Sequence, residues 1–148
     1  MGGTMDAVEI SVTSRGDSAR HSTSVLTTTA NVIHRAALEP MAAAGSGEPG
    51  TTVTYTLRLT NTGNAMGTFT LGYSGNTWSV QLSPPVSVTL TAGAGSDVVV
   101  RVMIPSTVTS ILSDTALVKV TGVGVSKVSA LTTQAVFHVY LPVTFRHP

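Results

Sequence analysis

The side chains that could carry chemistry are few and scattered. The histidines are His21, His34, His138 and His147; the acids are Asp6, Glu9, Asp17, Glu39, Glu48, Asp97 and Asp114. A metal centre or a nucleophile–base pair needs two or three such groups to converge. No spacing among them supports that, nor a paired-carboxylate glycosidase site. Calcium wants clustered oxygen ligands, and Glu48, Asp97 and Asp114 stand apart in sequence. Gly93-Ala94-Gly95 has the glycines of a phosphate loop, but no helix signal follows it, so it is a strand-to-strand turn. Arg15-Gly16-Asp17 spells the integrin-binding tripeptide, yet its place between two strand-like runs makes it hairpin-turn chemistry. Cysteine is absent, which removes disulfides, thiolate catalysis and cysteine-bound zinc and leaves the redox compartment open. The expectation is therefore no enzyme, no catalytic residue, no metal and no cofactor.

Composition narrows the classes further. The chain has 148 residues, a formal net charge of +1 and only 10% charged residues. That offers neither the basic patch nucleic acid needs nor a polybasic membrane stripe. No apolar run approaches the roughly 20 residues of a membrane helix, so membrane insertion is not expected. Apolar residues reach 42%, but they are Val, Ala and Leu interleaved with Thr and Ser, unlike a disordered chain. A Thr/Ser-rich, Lys-poor surface suits an extracellular or cell-surface bacterial protein. Met1–Asp6 has neither a basic start nor an apolar stretch, so an exported form would be a processed chain or part of a longer one.

The elements that must position these groups are strands. Residues 48–64 set the pattern: Val53, Tyr55, Leu57 and Leu59 share one parity, and Thr52, Thr54, Thr56, Arg58 and Thr60 the other. Period-two alternation with β-branched and aromatic residues predicts a strand with one buried face. Pro49-Gly50 opens it and Asn61-Thr62-Gly63-Asn64 closes it, Asn61 and Gly63 being suited to a turn with positive φ. Phe69, Leu71 and Tyr73 share a face, then Trp78, Val80 and Leu82, then Val86, Val88 and Leu90. Val98, Val100, Val102 and Ile104 point inward from the next strand. Residues 106–113 are a bend or helical turn, and 114–121 and 128–140 are the last strands. Residues 6–14 and 23–35 form a hairpin about a turn at Arg15–Ser18. Ala42–Pro49, rich in Ala, Gly and Ser, is a break or a loosely held edge. The expected core is Val53, Tyr55, Leu57, Leu59, Trp78, Val80, Val98, Val100 and Val102. About seven short strands with turns every 8–12 residues predict an all-β, antiparallel, immunoglobulin-like β-sandwich carrying an extra N-terminal hairpin.

An internal repeat bears on the hairpin. Residues 6–13, D-A-V-E-I-S-V-T, align with residues 114–121, D-T-A-L-V-K-V-T, at an offset of 108. Leu26-Thr27-Thr28 and His34 align with Leu131-Thr132-Thr133 and His138, the leucines 105 apart. A period near 105 is one immunoglobulin-like domain. The division expected is residues 1–35, a partial repeat able to donate strands, and residues 36–148, the sandwich with a C-terminal tail. A lone hairpin is marginal in water. Its apolar face, assigned to Val8, Ile10, Val12, Val25 and Ile33, must be covered by a missing part of a longer chain, by its own sandwich or by a neighbouring molecule.

Pro49-Gly50, Val53-Thr54-Tyr55, Leu57, Asn61–Asn64, Trp78-Ser79-Val80, Leu90, Gly93, Val98–Val102 and Ile104-Pro105 together resemble the NPCBM-associated immunoglobulin-like domains, over roughly residues 32–140. Those modules are appended to bacterial glycosidases and subtilisin-like proteases and repeat in cell-surface proteins. The resemblance implies a seven-strand sandwich, an extracytoplasmic setting and no catalytic residues; the N-terminal hairpin departs from it. Val139-Tyr140-Leu141-Pro142 resembles the C-terminal ends of some secreted bacterial proteins. Two functions follow as expectations. One is a structural or adhesive module that self-associates head to tail through the hairpin by strand complementation. The other is an accessory or carbohydrate-binding module of a secreted glycosidase or protease, with Tyr73 as the aromatic available to a cell-surface glycan.

Overall fold

The computed structural model describes residues 2–108 and 112–137. His138, His147, the Val139–Pro142 motif and part of the 106–113 bend lie outside the described residues.

Eleven strands form among the described residues: β1 (Met5–Thr13), β2 (His21–Thr29), β3 (Ala36–Glu39), β4 (Ala42–Gly47), β5 (Thr52–Asn61), β6 (Gly67–Ser74), β7 (Ser79–Ser83), β8 (Ser87–Leu90), β9 (Gly95–Met103), β10 (Ser113–Gly122) and β11 (Val125–Ala135). Two sheets make the sandwich, one ordered β4-β11-β10-β6-β8 and the other β3-β5-β9-β7. β1 and β2 form a third, two-stranded sheet. The fold is all-β and immunoglobulin-like, as expected.

Nine strands build the sandwich rather than about seven, and one ladder is not antiparallel. Both differences come from segments whose residues are small or interrupted by proline. The chain crosses between the sheets at Pro40, so the stretch before β5 is divided into β3 and β4. β4 reads A-A-A-G-S-G and pairs in parallel with β11, from Ala42↔Ala130 to Gly47↔Ala135. Of the two readings of this segment, a break or a loosely held edge, the structure has the edge, as a regular strand. Its small residues are what let it lie there: a Cβ at Gly45 would come within 2.8 Å of Val53 Cγ1 and 3.0 Å of the Tyr55 hydroxyl.

The core lies between the two sheets. Leu57, Leu59, Val98, Val100, Val102 and Ile104 are fully enclosed from one sheet, and Val118, Val120 and Leu131 from the other. Tyr55, Trp78 and Val80 are buried with them, while Val53 and Leu82 are partly buried at the margin. Alternation explains this directly, since β5 and β9 pair with Leu57 opposite Val98 and Tyr55 opposite Val100. Phe69 and Leu71 are buried, but Tyr73, on the same parity, is 47% exposed near the end of β6, and Val86 is exposed before β8 begins.

Buried polar groups are bonded throughout; no buried side-chain nitrogen or oxygen among the described residues lacks a partner. Asn61 donates to the carbonyls of Ala65 (2.8 Å) and Leu90 (3.0 Å) and accepts from the Gly63 N–H (3.0 Å). This corrects the expectation of positive φ at Asn61 and Gly63, since neither adopts it. Asn61 is buried as a bridge between turns, and Gly63 is glycine because a Cβ there would collide with the Ile33 carbonyl.

Candidate functional site

Sequence and structure both isolate the N-terminal hairpin. Its ladder is regular over nine pairs, from Met5↔Thr29 to Thr13↔His21. Every residue of both strands is exposed, on both faces. Of the three ways of covering the hairpin considered above, its own sandwich is therefore excluded: Val8 is 54% and Leu26 55% exposed.

Pairing defines the faces. Residues directly opposite in an antiparallel ladder project to the same side. Val8 faces Leu26, Ile10 faces Ser24, Val12 faces Ser22 and Asp6 faces Thr28. Val8, Ile10, Val12 and Leu26 therefore form the apolar stripe. Val25 pairs with Glu9 and belongs to the opposite face, which corrects its assignment to the stripe. Val25 and Leu26 are adjacent and both apolar, so the pattern alone could not choose between them, and a one-residue slip exchanges the faces. Ile33 is corrected as well: β2 stops at Thr29, and Ile33 lies in the segment that follows.

That segment anchors the hairpin. Asn64, in the β5–β6 turn, accepts the Ile33 N–H on Oδ1 (2.7 Å) and donates Nδ2 to the Asn31 carbonyl (2.8 Å). Its main chain donates to the Ile33 carbonyl (3.0 Å) and accepts from Gly2 (2.7 Å). Thr62 donates to the Arg35 carbonyl (3.0 Å). One asparagine thus holds both legs of the hairpin, a role beyond the turn chemistry its sequence context predicts. At the far end the Arg15–Ser18 turn is closed on itself. Asp17 accepts the Ala19 N–H (3.1 Å) and lies 3.4 Å from the Arg20 guanidinium.

The other candidates do not converge. His21 is on the hairpin and His34 beside the anchor, and among the described residues no three His, Cys, Asp or Glu side chains group as metal ligands. Asp97 pairs with Arg58 at 2.8 Å on the surface. Asp114 is buried at the start of β10, where it accepts the main-chain N–H groups of Thr77 (2.9 and 3.0 Å) and Trp78 (2.8 Å). In the Gly93 turn, the Gly93 N–H is taken by the Asn61 carbonyl at the end of β5 (2.9 Å) and the Ala94 N–H by the Thr91 carbonyl (3.1 Å), so both donors already have acceptors within the fold. An open groove of about 360 Å³ beside the anchor is lined by His34, Arg35 and Lys127, a basic rim without an acid.

Fold and site together define an immunoglobulin-like sandwich with an uncovered β-hairpin at one end. No family model and no curated protein sequence matches the chain. Solved structures share the fold. PapD-like domain 7 of human CEP192 matches with a TM-score of 0.55 at 15% identity, over 70% of this chain and 87% of that one. A family 123 glycoside hydrolase from Clostridium perfringens matches at 0.54 and 10% identity, over 66% of this chain and 23% of the hydrolase. The periplasmic chaperone SfaE matches at 0.50 and 11% identity, over 72% of this chain and 61% of the chaperone. These likenesses are of fold.

Proposed function

We propose that the chain is a non-catalytic, extracellular structural or adhesive module that joins neighbouring copies head to tail through its N-terminal hairpin. Residues 1–35 act as the donor unit and residues 36–148 as the sandwich. The observation that carries this reading is an ordered two-stranded sheet with Val8, Ile10, Val12 and Leu26 all exposed along one face. Burying the exposed half of each of those side chains would stabilise a complex by about 1 kcal/mol apiece before the costs of association. Strand complementation adds main-chain hydrogen bonds at an open sheet edge. Contact between unlike surfaces of successive copies need not close, and an open series of such contacts is a fibre. The residues that resemble NPCBM-associated domains support the extracytoplasmic setting and the absence of catalysis.

Light scattering on the full chain tests this. The mass should rise with concentration and fall to the monomer in the double variant Val8→Asp/Leu26→Asp, whose sites are exposed and irrelevant to the sandwich core. Equal masses for the two proteins would remove the proposal.

One observation favours a second reading. A glycoside hydrolase contains a segment of this fold, which supports an accessory module of a secreted glycosidase or protease. Tyr73 would then meet a cell-surface glycan. Polysaccharide binding lost in Tyr73→Ala would support it, and no retention on any polysaccharide column would discard the sugar role.

A further inference from the structure

The two hairpins of this chain are paired alike. Moving β1 by 108 positions and β2 by 105 carries Asp6↔Thr28 onto Asp114↔Thr133, and Thr13↔His21 onto Thr121↔Ser126. The sequence repeat thus reproduces the ladder register of β10–β11 pair for pair, although the loops between the strands differ in length.

The likeness is concentrated on one face. In β10–β11 the inward face is buried in the sandwich core except at Lys127, which is exposed opposite Val120 and stands where the hairpin has Ser22. There Asp114, Val120, Ser129, Leu131 and Thr133 are matched outright by Asp6, Val12, Ser24, Leu26 and Thr28. Ala116 and Val118 become Val8 and Ile10, apolar in both. On the outward face only Thr13 and Thr27 match their counterparts, Thr121 and Thr132. A chance alignment of Thr- and Val-rich strands has no reason to prefer the buried side.

Three of the matched residues make specific bonds where they are buried. Asp114 accepts two successive main-chain N–H groups, those of Thr77 and Trp78. Thr133 shares a 2.8 Å hydrogen bond with the Tyr55 hydroxyl. Ser129 donates to the Pro40 carbonyl at 2.7 Å. Asp6, Thr28 and Ser24 present the same groups at the same register positions, in solvent. An acidic carboxylate here is complementary to the positive ends of two peptide dipoles, and a merely greasy partner would have no use for it.

We infer that the occupant of the hairpin face is an immunoglobulin-like sandwich of this same repeat class that lacks its own final hairpin. This rests on the docking role proposed above and narrows its partner, from any neighbouring copy to a sandwich whose own final hairpin is absent or released. The acceptor presents a gap between its counterparts of β4 and β6, the two strands that flank β10–β11 here. A free pair of N–H groups ahead of its tryptophan receives Asp6. Its core tyrosine meets Thr28, and its apolar floor receives Val8, Ile10, Val12 and Leu26. A complete copy has that gap filled by β10–β11, so it accepts the hairpin only by releasing its own.

A graft in the full chain tests this. Residues 113–135 are replaced by a second copy of residues 5–30, and a control carries only the loop of residues 14–20 inserted between native β10 and β11. The expected result is a graft that unfolds in a single urea transition, with emission from the lone tryptophan, Trp78, as blue-shifted as in the parent. Asp6→Ala or Leu26→Asp within the graft should lower the midpoint or abolish the transition. A graft that is unfolded while the loop control is native overturns the inference, as does a folded graft indifferent to both substitutions. A folded, face-sensitive graft beside a full chain that stays monomeric would reject self-association and keep this partner. An associating full chain beside an unfolded graft would do the reverse.

Discussion

Asp114 ties the start of β10 to the turn before β7 through three hydrogen bonds, and it is the buried acid among the described residues. Removing its carboxylate leaves the Trp78 N–H buried without an acceptor. Asp114→Ala should therefore cost about 1–3 kcal/mol in urea denaturation, whereas Asp6→Ala, at the matching exposed position, should leave the stability of the isolated chain unchanged. Leu57 has no solvent exposure, so Leu57→Ala should cost about 2–4 kcal/mol through lost burial and the cavity left behind. Equal midpoints for Asp114→Ala and the parent would show that the turn finds other acceptors.

At the scale of elements, the hairpin and the sandwich separate into independent parts. The anchor is a few hydrogen bonds around Asn64, without a shared apolar core. Asn64→Ala should accelerate proteolytic cleavage within residues 30–35 several-fold while moving the sandwich's urea midpoint little; unchanged cleavage would mean the hairpin is held elsewhere. Gly63→Ala should act in the same direction, because the new methyl meets the Ile33 carbonyl. What could be read in advance follows the same division. β5 and β9 were plain from alternating large residues, and their parity placed Leu57, Val98 and Val100 inward. β4 was not, because A-A-A-G-S-G has no large side chain to alternate and earns its place by being small beside Tyr55 and Val53. The hairpin was legible as a hairpin and as a repeat, but Val25-Leu26 left its register open, and only the ladder with β1 placed Leu26 beside Val8. Asn64 stayed hidden because its partners lie some thirty residues away and are main-chain atoms.

For the whole molecule, the scarcity of charge has a consequence for assembly. The exposed stripe is apolar and the chain carries only 10% charged residues, so screening has little to act on. Association through the hairpin should change less than about two-fold in apparent affinity between low and high salt, measured by sedimentation. A steep fall with salt would point to a surface other than the stripe.

The parallel pairing of β4 with β11 also decides how the sandwich bears load. β4 lies toward the N-terminal side and β11 toward the C-terminal side, and they run the same way through six paired residues. Drawing the two ends of the sandwich apart slides these strands lengthwise along each other, so the bonds between them share the strain and must give way nearly together instead of peeling in turn. A module strung in series would thus have its mechanical clasp at the strand made of alanine, glycine and serine.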